Sequence, residues 1–138
     1  MGSWATAERT YKGFPLHLRR PLNVDTPDHR QKFRDLLTVT HTFDERLPNG
    51  CPEPRYNESL EELDSNLCSI LDPKDAGVPI LIETFRGERN YYFCIAPEAD
   101  ISNAKAIVTS SHPNARLTWT IDRSKGWSFL DRYAREFF

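Results

Sequence analysis

Two arginines and three consecutive aromatic residues lie within the stretch RGERNYYFC, which runs from Arg86 to Cys94. Basic, glycine and aromatic residues in this order are typical of a sheet strand that stacks on single-stranded RNA. When Arg86-Gly87 is aligned with that motif, Glu88 and Asn90 fall at the positions of the stacking rings. Neither side chain can stack on a base, so the sequence disfavours nucleic acid as a ligand.

The same stretch is also typical of an ordinary β-hairpin with a charged turn and a core strand. Alternation along such a strand turns Tyr91 and Phe93 toward the core and Tyr92 toward the opposite face. Arg86 and Arg89 are predicted at the hairpin tip, either as solvated charges or as contacts for an acidic partner, because guanidinium groups pair well with carboxylates. The predicted binding residues are therefore Arg86, Arg89 and Tyr92.

Cys51 is the candidate nucleophile, because it lies in the loop sequence NGCPEP while Cys68 and Cys94 fall in a predicted helix and strand. A catalytic cysteine needs a base and electropositive surroundings to form its thiolate. The nearby Glu53 and Asp44 are expected to raise the pKa of Cys51 instead. The sequence therefore predicts no catalytic residue, and a small enzyme using Cys51 stays an alternative.

The four histidines (His17, His29, His41 and His112) are scattered, with no i, i+4 pair and no cysteine at ligand spacing. We therefore expect no metal site. Since phosphate loops, nucleophile elbows and dinucleotide glycine motifs are also missing from the sequence, we expect no cofactor. His41 falls in the apolar phase of its strand and is predicted to be buried and hydrogen-bonded; a ligand pocket that uses it is a further alternative.

The composition is that of one ordinary globular domain spanning residues 1–138. Apolar residues make up 38% and charged residues 28%, and the net charge of −2 is spread evenly over both halves. No domain-wide positive field is thus available to attract nucleic acid or a membrane surface. The apolar runs are too short to span a bilayer, and three cysteines without paired spacing favour reduced thiols. We predict a cytoplasmic protein.

The elements that must position these residues follow from hydrophobic periodicity and turn residues. A hairpin around Lys12-Gly13 is predicted first, followed by a polar loop from Pro21 to Gln31. The later predicted elements are a strand over 36–43, a Leu-rich helix over 57–71, a hairpin around Arg86-Gly87-Glu88, a helix over 99–111, a strand over 115–122 and a helix over 126–138. Ser59 and Glu62 are expected to form a capping box at the start of the Leu-rich helix.

The helix over 99–111 is predicted to turn Ile101, Ala104, Ile107 and Val108 toward the core. From the strand at 36–43 onward, the order βαββαβ is the ferredoxin-like arrangement, an α+β sandwich with helices on one face of an antiparallel sheet. It carries an added N-terminal hairpin and a C-terminal helix. The opposite sheet face is expected to be open and rich in threonine (Thr38, Thr40, Thr42, Thr118 and Thr120). Such a face would contact an unknown protein partner or a second copy of the chain.

Several short motifs are shared with one known family. They are Trp4, the KGFP hairpin, the LPNG loop before the Leu-rich helix, the ETFRGERNYYF hairpin, and the closing residues Asp122, Trp127 and Tyr133. In these motifs the chain resembles the bacterial domain-of-unknown-function family 695 over nearly its whole length. The resemblance implies a fold similar to that of a bacterial ribonuclease E inhibitor. It therefore implies a protein-binding regulator rather than a catalyst, with an RNA-associated regulator as the alternative.

Overall fold

The computed structural model describes residues 4–43, 47–51 and 54–137, with the backbone alone at positions 56, 134 and 137. The elements in chain order are β1 (Trp4–Tyr11), β2 (Phe14–Pro21), α1 (Pro27–Lys32), β3 (Asp35–Thr42), α2 (Pro54–Cys68), β4 (Gly77–Phe85), β5 (Glu88–Ile95), α3 (Ile101–Ser111), β6 (Leu117–Asp122) and α4 (Gly126–Phe137).

The six strands form one sheet in the order β1-β2-β4-β5-β3-β6, and every neighbouring pair is antiparallel. Helices α2 and α3 connect β3 to β4 and β5 to β6. The N-terminal hairpin extends the sheet, because β2 pairs with β4. The predicted α+β class, with an antiparallel sheet, is confirmed.

Both predicted hairpin turns form with positive φ at their central residues. The φ angles are +52° at Lys12 and +83° at Gly13, and +50° at Arg86 and +87° at Gly87. Two-residue turns of this kind match the right-handed twist of the flanking strands. Because β2 runs antiparallel to β4 with Leu16 opposite Phe85, the two turns lie at the same end of the sheet.

The sheet has an apolar core on each of its faces. Helices α2 and α3 cover the first face, where the buried residues include Leu37, Val39, Phe93, Leu63, Leu67, Ala104 and Val108. Helix α4 covers part of the second face, where the buried residues include Leu16, Leu18, Leu36, Cys94, Phe33, Trp127 and Leu130. The prediction of helices on one face was therefore wrong. The apolar stripe of α4 needs its own sheet surface, because α2 and α3 already occupy the first face.

Two local predictions about the helices were also wrong. Helix α2 begins at Pro54, so Ser59 lies inside it and does not start a capping box. Proline suits a first helical position because its φ is fixed near the helical value and it needs no N–H partner there. In α3, Ala104 and Val108 are buried, but Ile107 is 49% exposed, because the helix contacts the sheet along a narrower stripe than expected.

Helix α1 interrupts the predicted polar loop between β2 and β3. Thr26 precedes it in an extended conformation, and its hydroxyl accepts a hydrogen bond from the backbone N–H of His29 at 3.1 Å. Pro27 stands at the first helical position. A threonine cap followed by proline is a recognisable start signal, but six residues give too little periodicity to predict a helix.

Candidate functional site

The two hairpin turns bring together three aromatic rings and two cations. The ring of Phe85 lies 5.9 Å from that of Tyr11 and 6.3 Å from that of Phe14, both edge to face. The guanidinium of Arg86 lies 4.5 Å from the Phe14 ring centre, and the Lys12 ammonium lies 5.4 Å from that of Tyr11. We call these five residues the turn-end patch. Among the residues that the structure describes, neither cation pairs with a carboxylate.

A short loop holds the turn of Arg86 in place. The backbone N–H of Gly87 donates to the carbonyl of Gly50 at 2.7 Å, and the N–H of Gly50 donates to the carbonyl of Leu47 at 2.9 Å. Leu47 is 40% exposed. Together with Phe14, Pro48, Gly50 and Arg86 it lines an open hollow of about 400 Å³. Arg86 thus shares the lining of this hollow with three apolar side chains.

Arg89 does not lie at the exposed tip, contrary to the prediction. It is 7% exposed and lies on the sheet face under α2. Its Nε donates to the Thr84 hydroxyl at 2.9 Å, Nη1 to Asp64 at 2.9 and 3.2 Å, and Nη2 to Asn57 at 2.9 Å. The physical reason is strand alternation, which places Arg89 in the same phase as Tyr91. All three nitrogens are engaged inside the protein, so Arg89 is not available to a partner.

Asp64 of α2 is shared by three donors. Besides Arg89, it accepts a hydrogen bond from Nη2 of Arg19 at 3.0 Å and one from the hydroxyl of Tyr91. Burial and the Asp64 carboxylate both raise the pKa of Tyr91, so its hydroxyl stays protonated and donates. Arg89 uses every guanidinium nitrogen in hydrogen bonds, whereas the half-exposed Arg19 makes only the bond to Asp64 among the described residues. The cluster therefore holds one more guanidinium than carboxylate.

Tyr92 lies on the predicted face, but α4 covers it. Its ring centre is 4.5 Å from that of Phe129. Its hydroxyl is 3.4 Å from Glu83, which also accepts hydrogen bonds from the Asn90 amide at 2.8 Å and from the Tyr133 hydroxyl. Burial and the Glu83 carboxylate raise the pKa of Tyr92. The expected exposure of this ring on an open face was wrong, because the C-terminal helix packs on that face.

A cleft of about 710 Å³ lies between α2 and the N-terminal hairpin. We call it the α2 cleft. Its apolar lining includes Trp4, Leu22, Val24, Cys68, Pro79 and Ile82. A second hollow of about 330 Å³ adjoins it and shares Arg19 and Ile82 with it. Arg19 therefore stands where the apolar cleft meets a polar hollow lined by Glu8, His17, Thr84 and Arg89.

Cys51 lies beside a histidine that the sequence did not point to. Its Sγ is 3.8 Å from Nε2 of His17, and Nδ1 of His17 is 3.4 Å from a carboxylate oxygen of Glu8. Burial and the charge of Glu8 raise the pKa of Cys51. A raised pKa was predicted, but from Asp44 and Glu53, which lie outside the described residues. The arrangement keeps the thiol protonated near neutral pH, which disfavours nucleophilic attack.

His41 is buried and hydrogen-bonded, as predicted. It is 2% exposed, and its Nδ1 lies 3.2 Å from the carbonyl of Arg116. Together with Ser59 and His112 it lines a hollow of about 320 Å³. Within residues 4–43, 47–51 and 54–137 there is no group of three His, Cys, Asp or Glu side chains placed to hold a metal ion. The hollow is thus lined by two histidines and two serines, with no metal centre among the described residues.

Sequence reasoning missed His17, Glu8, Asp64 and Arg19. A signal for the first pair was present, because a two-residue turn at Lys12-Gly13 places Glu8 opposite His17, as the register shows. Asp64 directly follows the buried Leu63 in the helix, at the border of the apolar stripe. Its pairing with Arg89 could not be predicted, because that pairing depends on how α2 packs on β5, and a single sequence does not show this packing.

Comparisons with known proteins give no further guidance. No family model, no curated protein and no solved structure matches this chain. The resemblance to family 695 therefore stays a prediction. In the part of the chain that the structure describes, each helix is too short or too polar to cross a membrane.

Proposed function

We propose that this chain is a non-catalytic protein-binding domain whose turn-end patch binds an acidic segment of another protein. The observation that carries the proposal is the position of Arg86, whose guanidinium lies 4.5 Å from the Phe14 ring and whose side chain helps to line the open hollow. Stacking holds the guanidinium in one place, so less conformational entropy is lost when a carboxylate binds. The hollow beside it accepts one apolar side chain of the same segment.

The charges of the patch support an acidic partner. Lys12 and Arg86 are both cationic, and neither has a carboxylate partner among the described residues. An incoming carboxylate therefore competes with no ion pair among the described residues. Arginine and aromatic residues are also enriched among the interface residues that contribute most of the binding free energy. A segment with two acidic residues flanking an aromatic one matches the patch in charge and shape.

The finer fold assignment belongs to the same proposal. We place β3-α2-β4-β5-α3-β6 in the ferredoxin-like class, supported by the neighbour order β4-β5-β3-β6 and the two helical crossovers. A relation to family 695 is proposed on the quoted motifs alone. A cytoplasmic location is supported by the three cysteines, all of which are free thiols.

A peptide array tests the function. Labelled peptides carrying two carboxylates around one aromatic residue are assayed against the wild type, Arg86→Glu and Lys12→Glu at about 50 mM salt. Reversing either charge is expected to weaken binding roughly tenfold or more, since charge reversal replaces attraction by repulsion. Arg132→Glu, which makes the same change on the exposed side of α4, is the matched control and is expected to bind as the wild type does.

Three results would overturn the proposal. They are absence of peptide binding by the wild type, equal weakening by Arg132→Glu, and preferential binding of labelled single-stranded RNA with loss on Arg86→Glu. The last result would favour the RNA-associated alternative. Binding that weakens steeply with salt and depends on Arg86 would support the protein-binding function.

A further inference from the structure

We propose that the α2 cleft binds an amphipathic carboxylate, with the apolar chain or ring in the cleft and the carboxylate on Arg19. This goes beyond the proposed function, because the cleft lies on the other face of the sheet and takes a small molecule. The inference rests on three observations: an exposed apolar cleft of suitable size, a guanidinium with unused donors at its polar end, and a charge distribution that orients an anion.

The cleft has the size and lining of a small-molecule site. Its volume of about 710 Å³ falls in the range of roughly 300–1,000 Å³ that is usual for ligand pockets. Trp4 is 37% and Leu22 42% exposed at its rim, so large apolar side chains border the opening. Burial raises the pKa of Cys68 to about 11, so its thiol is a neutral part of the wall near neutral pH.

Arg19 supplies the recognition of a carboxylate. Among the residues that the structure describes, Arg19 uses only Nη2, in the bond to Asp64, and its side chain is 42% exposed. The guanidinium also lies 5.8 Å from the Trp4 ring centre, at the junction of the cleft and the polar hollow. Because Arg89 already pairs with Asp64, a ligand carboxylate can bind Arg19 without leaving Asp64 unpaired. The remaining donors can engage a carboxylate with two parallel bonds.

The other charges fix the orientation of the ligand. Glu61 lines the α2 side of the cleft and is exposed, so it repels an anion there. Glu8 lines the adjoining polar hollow and repels an anion there. Asp64 also lines the cleft, but Arg89 already compensates its charge. A carboxylate is therefore accommodated beside Arg19, with the apolar part directed toward Trp4 and Leu22. A purely apolar ligand would lack this fixed orientation.

Titration with decanoate below its aggregation concentration tests the inference, with calorimetry and tryptophan fluorescence as readouts. Wild-type protein is expected to bind, with a fluorescence change that disappears in Trp4→Phe. Arg19→Gln is expected to weaken decanoate binding roughly tenfold or more while leaving decanol binding unchanged, since decanol lacks the charge. Arg132→Gln is the matched control with the same change on the exposed side of α4.

A second variant tests the α2 cleft without removing the ion pair between Arg19 and Asp64. Ser65 is exposed on the cleft wall, and Ser65→Trp fills the cleft without removing any partner of Asp64. Loss of decanoate binding in this variant, with an unchanged unfolding midpoint, supports the site. The inference is overturned if the wild type does not bind decanoate, if Arg19→Gln or Ser65→Trp binds as the wild type does, or if decanol binds as tightly as decanoate.

Discussion

Asp64 on α2 and Arg89 on β5 form an ion pair beneath the helix, with N–O distances of 2.9 and 3.2 Å. The side chains are 16% and 9% exposed. Neither charge is therefore well solvated by water. Besides their mutual contact, Arg89 donates hydrogen bonds to Thr84 and Asn57. Asp64 accepts hydrogen bonds from Arg19 and Tyr91. The pair fixes the position of α2 on the sheet, and thereby the width of the α2 cleft.

Removal of Arg89 is expected to be severely destabilising. In Arg89→Met the Asp64 carboxylate stays under α2 with Arg19 as its one remaining cation among the described residues, and breaking such a pair costs about 3–5 kcal/mol. Urea unfolding followed by circular dichroism measures the change in the free energy of unfolding. The control Arg132→Met, on the exposed side of α4, is expected to stay within about 0.5 kcal/mol of the wild type. A loss below about 1 kcal/mol in Arg89→Met would contradict the assigned role.

Much of the fold could be predicted because turns and periodicity act locally. The Lys12-Gly13 and Arg86-Gly87 turns carry their own conformational signal, and the strands between them alternate regularly. The side of the sheet that α4 covers could not be predicted, because an apolar stripe indicates burial without naming the surface that buries it. For the same reason the hairpin turn at Arg86 was predicted correctly, whereas the exposure expected for Arg89 and Tyr92 was wrong.

The loop that contacts the Arg86 turn gives a second prediction. A Cβ added at Gly50, which has φ +86°, would lie 2.6 Å from the Cα of Arg86, whereas one at Gly13, with φ +83°, meets nothing within 4 Å. Alanine at either position has to adopt a left-handed backbone conformation, which costs about 1–2 kcal/mol. Gly50→Ala is expected to cost at least about 1 kcal/mol more, because backbone atoms must move apart.

Hydrogen exchange distinguishes the two alanine variants further. Displacement of the loop breaks the bond from the Gly87 N–H to the Gly50 carbonyl, so the Gly87 amide is expected to exchange faster in Gly50→Ala alone. The peptide binding assigned to the turn-end patch should weaken in parallel. Equal unfolding free energies for the two variants, with unchanged exchange at Gly87, would rule out this function of the loop.

Acid sensitivity gives a third prediction, centred on Asp35. Burial alone would raise the pKa of Asp35, but hydrogen bonds from the Ser124 N–H at 2.8 Å and from Arg123 at 2.6 Å outweigh it, and the net pKa is lowered. A carboxyl group with a lower pKa in the folded state binds its proton preferentially in the unfolded state. Its stabilisation is therefore present above the unfolded pKa of about 3.9 and is lost as the pH falls toward the folded pKa.

Unfolding free energies measured between about pH 6 and about pH 3 test this linkage. The wild type is expected to lose stability over the lower part of this range, and Asp35→Asn to show a shallower dependence. Arg123→Gln, which keeps the carboxyl group and the Ser124 bond, should fall between the two. Hydrogen bonds from Arg30 lower the pKa of Asp25 and Asp131 in the same direction, so some dependence remains in every variant. A slope unchanged by Asp35→Asn would refute the assignment.

The contact between α4 and the sheet gives the fourth prediction, based on the indole of Trp127. Its Nε1 donates to the carbonyl of Phe33 at 2.7 Å, and the side chain is 7% exposed. Trp127→Phe removes this bond and leaves a buried carbonyl with one donor fewer, at an expected cost of about 1–3 kcal/mol. Trp119→Phe is the matched control, since the Trp119 indole N–H has no hydrogen-bond partner among the described residues.

The two tryptophan variants should differ in where the protein opens. If Trp127 holds α4 on the sheet, amides of α4 are expected to exchange faster in Trp127→Phe, while those of α3 on the other face stay unchanged. Tyr92, which α4 covers through Phe129, should then become more accessible to tyrosine-specific nitration. Trp119→Phe should leave α4 exchange and Tyr92 accessibility unaltered. Faster exchange spread evenly over α3 and α4 would instead mean that Trp127 stabilises the whole domain without acting as a local anchor of α4.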